Sequence, residues 1–343
     1  MEEPQRGAAR YPGGEHWILN GAYSDRTFSR DVLAYATARR LGRWAPRTRF
    51  VELYINRGYR GIYVLSEQVK LDAARVSVAR AGISGGYVVE GSATPFADGF
   101  QGPASGWFYG HKDPKFKQLR SDEAGWIAGY VAAAELSLAA RNGSWRAFVD
   151  EPAAVGYLLL QELFTNLDAY SRSTFLAKGT DQPLVFGPVW DFDWSMGLDL
   201  SGGFSVAPQG WVSRGRPLAR DLLADPAFTQ RLVARWSQLR SKDLLRSMLR
   251  QLDHTRRVLR APRYATHAAG TRPGRARTHR RCAGCAAGSS TASAGLTRTS
   301  RHSALEPDCV RGHAVRLAHL QRPLSHGWAR AASGRVHMGL TGS

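Results

Sequence analysis

Cysteine is nearly absent from this chain of 343 residues, and its three copies, Cys282, Cys285 and Cys309, all lie near the end. The first 260 residues therefore rest on no disulfide, and cysteine usage does not reveal a redox compartment. Long apolar runs are missing too. None approaches the ~18–20 residues that a membrane-crossing helix needs, so no membrane span is expected. The start, Met1-Glu2-Glu3-Pro4-Gln5-Arg6, is acidic and polar, unlike a secretory leader. There is no glycine-rich Walker loop. Lysine is absent from residues 261–343, where 13 Arg stand against one Glu and one Asp.

That last absence changes how the charge is read. A formal charge of +19 suggests a polyanionic partner. The tail alone carries +11 of it, and residues 1–260 carry +8 spread over 34 basic and 26 acidic side chains. The body is only mildly basic, and no specific nucleic-acid partner is expected. Seven of the ten histidines also lie in the tail. Its Ala, Arg, Gly, Ser, Thr and His show no hydrophobic period, and such a composition buries too little apolar surface to offset chain entropy. Residues 259–343 are expected to be disordered or to be the translation of a GC-rich frame other than the coding one. Cys282-x2-Cys285 with Cys309-x3-His313 is nominally a zinc set, but nothing apolar frames a finger between them.

What is present reads as α+β. Residues 1–15 look irregular. A helix is expected after Asp25-Arg26-Thr27, closing at Gly42. Phe50 to Ile55 and Tyr59 to Val69 alternate as two strands around Asn56-Arg57-Gly58, and Gly85 to Glu90 reads as another strand. Residues 92–118 look loop-rich. Helices are expected over Glu123 to Arg141 and after Asp150-Glu151-Pro152 as far as Asn166. A hairpin is expected around Gly179-Thr180-Asp181. A loop with Gly202-Gly203 leads to a helical region over 217–258.

The chemistry gathers in two places. Val189-Trp190-Asp191-Phe192-Asp193-Trp194 sets two carboxylates among aromatics, where charge is expensive unless compensated. Asp-x-Asp after a strand can hold Mg²⁺ or Mn²⁺ on a nucleotide phosphate; by spacing alone it reads equally as a capped turn. Asn166-Leu167-Asp168 closes a helix, and by itself is a polar helix end. Together, a base on one element and a metal-holding carboxylate on another form the arrangement that phosphoryl transfer needs. Glu67, at the end of an apolar strand, reads as exposed, or as orienting a lysine or a metal. Lys70, Lys115 and Lys178 read as surface lysines able to meet phosphates, and Trp190 and Trp194 as core.

The ordered series Trp17-Ile18-Leu19-Asn20, Asp25 to Arg30, Phe50 to Asn56, Gly61 to Glu67, Gly85-Gly86-Tyr87, Glu162 to Asp168 and Gly187 to Gly197 resembles the CotH kinase family, the spore-coat protein H type of atypical kinase. The resemblance spans about residues 16–258. It implies a divergent kinase-like fold, ATP with Mg²⁺ or Mn²⁺, and phosphate transfer to Ser or Thr of a partner protein. It also implies a place in the spore coat, at the cell envelope or outside the cell. By the same resemblance, Asp168 is the catalytic aspartate, Asp191 holds metal with Asp193 beside it, and Asn166 and Glu67 match recurrent family positions; Asn166 is placed with the catalytic residue and Glu67, with Lys70 and Lys178 as phosphate contacts, with the nucleotide. Family members usually carry a strand-rich segment where this chain has 15 residues, so an incomplete nucleotide lobe, weak or no binding of Mg²⁺–ATP, and a chain either impaired or inactive through truncation are expected. Two other readings remain: an Asp-x-Asp glycosyltransferase, and a non-catalytic coat or surface protein.

Overall fold

The structure is a computed structural model that describes residues 16–56, 58–198, 210–241 and 243–260. The irregular start, the Gly202-Gly203 loop and the arginine-rich tail with its Cys/His set lie outside the described residues.

Asp25 begins the fold. Its carboxylate accepts the N–H groups of Thr27, Ser29 and Arg30, which launches helix α1 (Arg30–Arg40), and Gly42 with φ +81° follows the helix end. Strand β1 (Trp17–Asn20) and the hairpin β2 (Thr48–Ile55) and β3 (Gly58–Glu67) make an antiparallel sheet in the order β1-β3-β2. Asn56 takes φ +49° at the expected hairpin turn.

A second antiparallel sheet has the order β5-β6-β4-β7-β8, from β4 (Tyr87–Ser92), β5 (Gly99–Gln101), β6 (Phe108–Asp113), β7 (Thr174–Lys178) and β8 (Val185–Phe186). The 92–118 segment read as loop thus holds two strands. They are short and rich in glycine, so the period of two is too brief to stand out. The hairpin expected around Gly179 is the β7–β8 pair.

Helices α2 (Ser121–Ala139) and α3 (Glu151–Phe164) follow β6, and Asp150 caps α3 by accepting the Ala153 N–H at 2.7 Å. The helical 217–258 region is three helices: α4 (Pro217–Leu223), α5 (Pro226–Ser241) and α6 (Leu244–Leu259). Asp225 accepts the N–H groups of Ala227 and Phe228 and so divides α4 from α5. Among the described residues this makes six α-helices and two antiparallel sheets. None of the helices is long and apolar enough to cross a membrane.

The second sheet's two faces part the core. Tyr87, Val89, Tyr109 and Leu176 join the large cluster with α1, α2, α3 and α5, centred on Leu158, Phe164 and Trp145. Val88, Phe175 and Ala177 form a smaller cluster with Val69 and Val76 on the other face. Alternation along β4 and β7 dictates this split. α3 is buried nearly all round, which fixes the level at which its C-terminal end leaves the core.

Candidate functional site

Two loops meet at the end of α3. The helix stops at Thr165, which adopts φ +47°, and the chain runs through Asn166 and Asp168 to β7. The second loop leaves β8 and carries Asp191 and Asp193. They are joined backbone to backbone: Leu167 N–H donates to the Trp194 carbonyl at 3.2 Å, and Met196 N–H to that of Phe164 at 2.7 Å. Thr165, Tyr170, Ser173, Asp191 and Met196 all have positive φ without being glycine. Each such residue stores of order 1 kcal/mol or more, and such strain gathers where a fixed geometry has a use.

Asn166 is the bracket. Its amide donates to Gln161 Oε1 at 2.9 Å and to the Asp191 carbonyl at 3.3 Å, and its Oδ1 accepts the Asp168 N–H at 3.1 Å. The side chain is buried and its amide and oxygen are both engaged, so Asn166 positions both acidic loops. Asp168 pairs with Arg172 at 3.2 Å. Burial lifts its pKa above the ordinary value, Arg172 opposes this, and the Asp193 charge adds to the lift. Arg216 donates to the Leu167 carbonyl at 3.4 Å and is the second cation acting on Asp168.

Asp191 accepts a hydrogen bond from the Ser173 hydroxyl at 3.0 Å. Burial, the neighbouring Asp193 and then Asp31 push its pKa well up. Like-charged carboxylates at one place share a proton when nothing positive stands between them. Aspartate oxygens are hard donors, and their mutual repulsion is the kind a divalent cation relieves. Among the described residues no set of three or more His, Cys, Asp or Glu side chains is arranged to hold a metal. Mg²⁺ commonly takes only one or two carboxylates and completes its shell with phosphate and water, so the pair fits that ion.

Sequence reasoning missed the contribution of α1. Asp31 Oδ1 accepts the Phe192 N–H at 2.7 Å, and the Tyr35 hydroxyl accepts the Asp191 N–H at 3.1 Å while donating to Asp31. Residues 31 and 35 are one helical turn apart, so one face of α1 grips two successive N–H groups of the acidic loop. Burial, against the bond from Phe192, raises the Asp31 pKa from 3.8 to about 6. An acid in a helix's first turn reads as a dipole partner, and only the fold shows it facing Asp193. Ser173 was passed over as well, because a lone serine before a strand carries no signal.

Other expected residues sit elsewhere. Glu67 is fully buried, correcting the exposed reading: the Arg47 guanidinium and backbone N–H donate to it, and Arg75 lies 3.9 Å away. An arginine twenty residues earlier leaves no local trace. Lys178 is also buried, not a surface lysine. It donates to the carbonyls of Ser84 (3.1 Å) and Gly179 (2.6 Å), and its ammonium lies 5.2 Å and 4.6 Å from the Trp126 and Tyr130 rings. Burial lowers its pKa. Those rings pack against the large core, on the opposite sheet face from Phe175. Lys70 is half-buried beside Val69, and Lys115 is exposed. Trp190 stacks on Tyr35 at 6.0 Å and packs against both core clusters, while Trp194 lies under the Arg172 guanidinium.

No curated protein matches the chain. The family model described as CotH kinase protein matches residues 1–276. That stretch takes in both acidic loops, α1 and both sheets, and the chain belongs to the CotH kinase family.

Proposed function

We propose that this protein is a kinase of divergent kinase-like fold that transfers the γ-phosphoryl group of ATP to a serine or threonine hydroxyl of a partner protein. The observation that supports this best is the meeting of Asp168 with the Asp191–Asp193 pair, held by Asn166 across two interlocked loops. Asp168 is the general base. Its raised pKa makes it a better proton acceptor, and Arg172 and Arg216 keep it ionised enough to act. It takes the acceptor hydroxyl's proton as the new O–P bond forms, and the bond to the β-phosphate oxygen breaks to release ADP. Asp191 and Asp193 would hold Mg²⁺ or Mn²⁺, and Ser173 orients the first of them. That ion, when bound, neutralises charge on the β- and γ-phosphates. Asp31 and Tyr35 fix the backbone that presents Asp191.

The test incubates purified protein with radiolabelled ATP, Mg²⁺ or Mn²⁺, and a serine-rich acceptor protein. Transfer that Asp191→Ala and Asp168→Ala abolish supports the reading. Turnover of a UDP-sugar with none of ATP would replace it with glycosyl transfer. A cellular phenotype lost on deletion but kept by both variants would replace it with a scaffold role.

A further inference from the structure

We propose that the acceptor brought to Asp168 is a serine or threonine with an anionic group beside it in its own chain, an acidic residue or a phosphate already in place, and that Arg172 and Arg216 receive that group. This rests on the phosphoryl-transfer reading above and names its substrate class. The charges about Asp168 are divided. Asp191 and Asp193 stand on one loop, where Mg²⁺ or Mn²⁺ would meet them. The other two segments beside the base hold cations alone: Ala169 to Thr174 contain Arg172 and no acid, and Trp211 to Arg216 contain Arg214 and Arg216 and no acid. An approach lined by cations favours an anionic acceptor and rejects a basic one.

Backbone sets both arginines in place. The N–H groups of Ser171 and Arg172 donate to the Asp168 carbonyl at 3.0 Å, a single turn that brings the Arg172 side chain to that of Asp168. Its Nε lies 3.2 Å from Asp168 Oδ1, and its guanidinium lies 5.8 Å from the centre of the Trp194 ring, which fixes its plane. The Arg172 side chain is 58% exposed against 11% for Asp168, so the pair opens to solvent on the arginine's side. A guanidinium carries five N–H donors in a fork that fits a carboxylate or a phosphate. Among the described residues Asp168 is the one carboxylate paired with Arg172, which leaves donors for a second anion. Arg216 is held by the other segment. Glu162, buried on α3, accepts the N–H groups of Val212 (3.1 Å) and Ser213 (2.7 Å), and the Arg216 N–H donates to the Ser213 carbonyl at 2.9 Å. That turn delivers the Arg216 side chain to the Leu167 carbonyl at 3.4 Å, one residue before the base.

Four peptides that differ only beside the serine test this, flanked by aspartate, phosphoserine, alanine or lysine, with initial rates of radiolabel transfer read over a range of concentrations. The wild type should prefer an anionic flank to alanine by roughly tenfold in kcat/KM, mostly through KM, and to lysine by more. Faster transfer to the phosphoserine peptide than to the aspartate peptide identifies phosphate as the anion, and the reverse order identifies the carboxylate. In Arg172→Gln and Arg216→Gln the ratio of anionic to alanine peptide should fall toward one. The ratio compares two peptides on one variant, so a slower base or a less stable fold cancels from it. Equal rates on all four peptides in the wild type, a preference for lysine, or a wild-type ratio kept by both variants overturns the proposal and leaves phosphoryl transfer standing. A wild-type chain that transfers phosphate to no peptide and to no acceptor protein overturns the phosphoryl-transfer reading and the proposal with it.

Discussion

The molecule holds two groups of carboxylates, one buried and one half-buried, and treats them in opposite ways. Glu151 and Asp225, where α3 and α5 begin, are neutralised from within. Arg146 donates to both, Arg231 reaches Glu151 at 2.6 Å, and the Trp145 indole N–H reaches Asp225 at 3.0 Å. Burial alone would raise the Asp225 pKa, but Arg146 and Trp145 outweigh it and hold it at about 2. Asp31, Asp191 and Asp193 have no such arginine among their described ion pairs, and Asp31 and Asp191 are pushed up instead. One group is neutralised inside the fold, and the other is not. Under the phosphoryl-transfer reading proposed above, the contrast separates carboxylates that only hold the fold together from those gathered at the reacting site.

Amide substitutions at the open group, or at the Asp168 base beside it, should break activity with little loss of stability. The largest expected effect is at the base: Asp168→Asn should lower kcat by 10²–10⁴-fold, read by initial rates of phosphate transfer, with thermal unfolding little changed. The closed group should do the reverse. Arg146→Ala leaves two buried acids short of their partner and should cost about 3 kcal/mol. At roughly 2–4 °C per kcal/mol, Tm should fall by about 6–12 °C in calorimetry. An unchanged Tm would erase the distinction between the groups.

Asp31 gives a finer test. Asp31→Asn removes a charge and keeps an oxygen for the Phe192 N–H, so at pH 7 it should stabilise by about 1 kcal/mol. Asp31→Ala removes that acceptor as well and should destabilise by about 1–3 kcal/mol. Thermal unfolding that ranks alanine above asparagine would show the carboxylate is no anchor for the loop.

The smallest effects come from pH. Asp31 has a raised pKa, so its contribution is fully present below 3.8 and lost as pH rises through about 6. The advantage of Asp31→Asn should therefore be absent near pH 3.8 and grow across that window. Asp225 has a lowered pKa, so its contribution is present above 3.8 and lost as pH falls through about 2. Asp225→Asn should unfold below the wild type at pH 7 and converge with it near pH 2.

The sequence made local things legible. Asn56 marked the β2–β3 turn, Asp150-Glu151-Pro152 marked the start of α3, and Gly42 the end of α1, because each acts on its own few residues of backbone. The acidic loops were legible through composition, since carboxylates amid Trp and Phe demand a reason. What depended on distant partners was hidden. Glu67 looked exposed because Arg47 and Arg75 are supplied from elsewhere, and Lys178 looked solvated because its aromatic box comes from α2. Asp31 looked like ordinary helix chemistry until α1 met the turn at Asp191. β5 and β6 vanished into a glycine-rich stretch because the three residues of β5 show no period and Gly110 interrupts the six of β6.

The grip of α1 on the acidic loop also sets an order in time. Asp31 and Phe192 are 161 residues apart in the chain, and one hydrogen bond joins them across most of the described body. While the chain is being made, α1, the β2–β3 hairpin and α3 have everything local they need long before residue 192 leaves the ribosome. The acidic loop has no anchor until it reaches a helix that has been waiting since the beginning. A chain cut short of residue 192 thus holds α1 without the loop it grips, and under the phosphoryl-transfer reading proposed above the assembled carboxylates wait for that long closure.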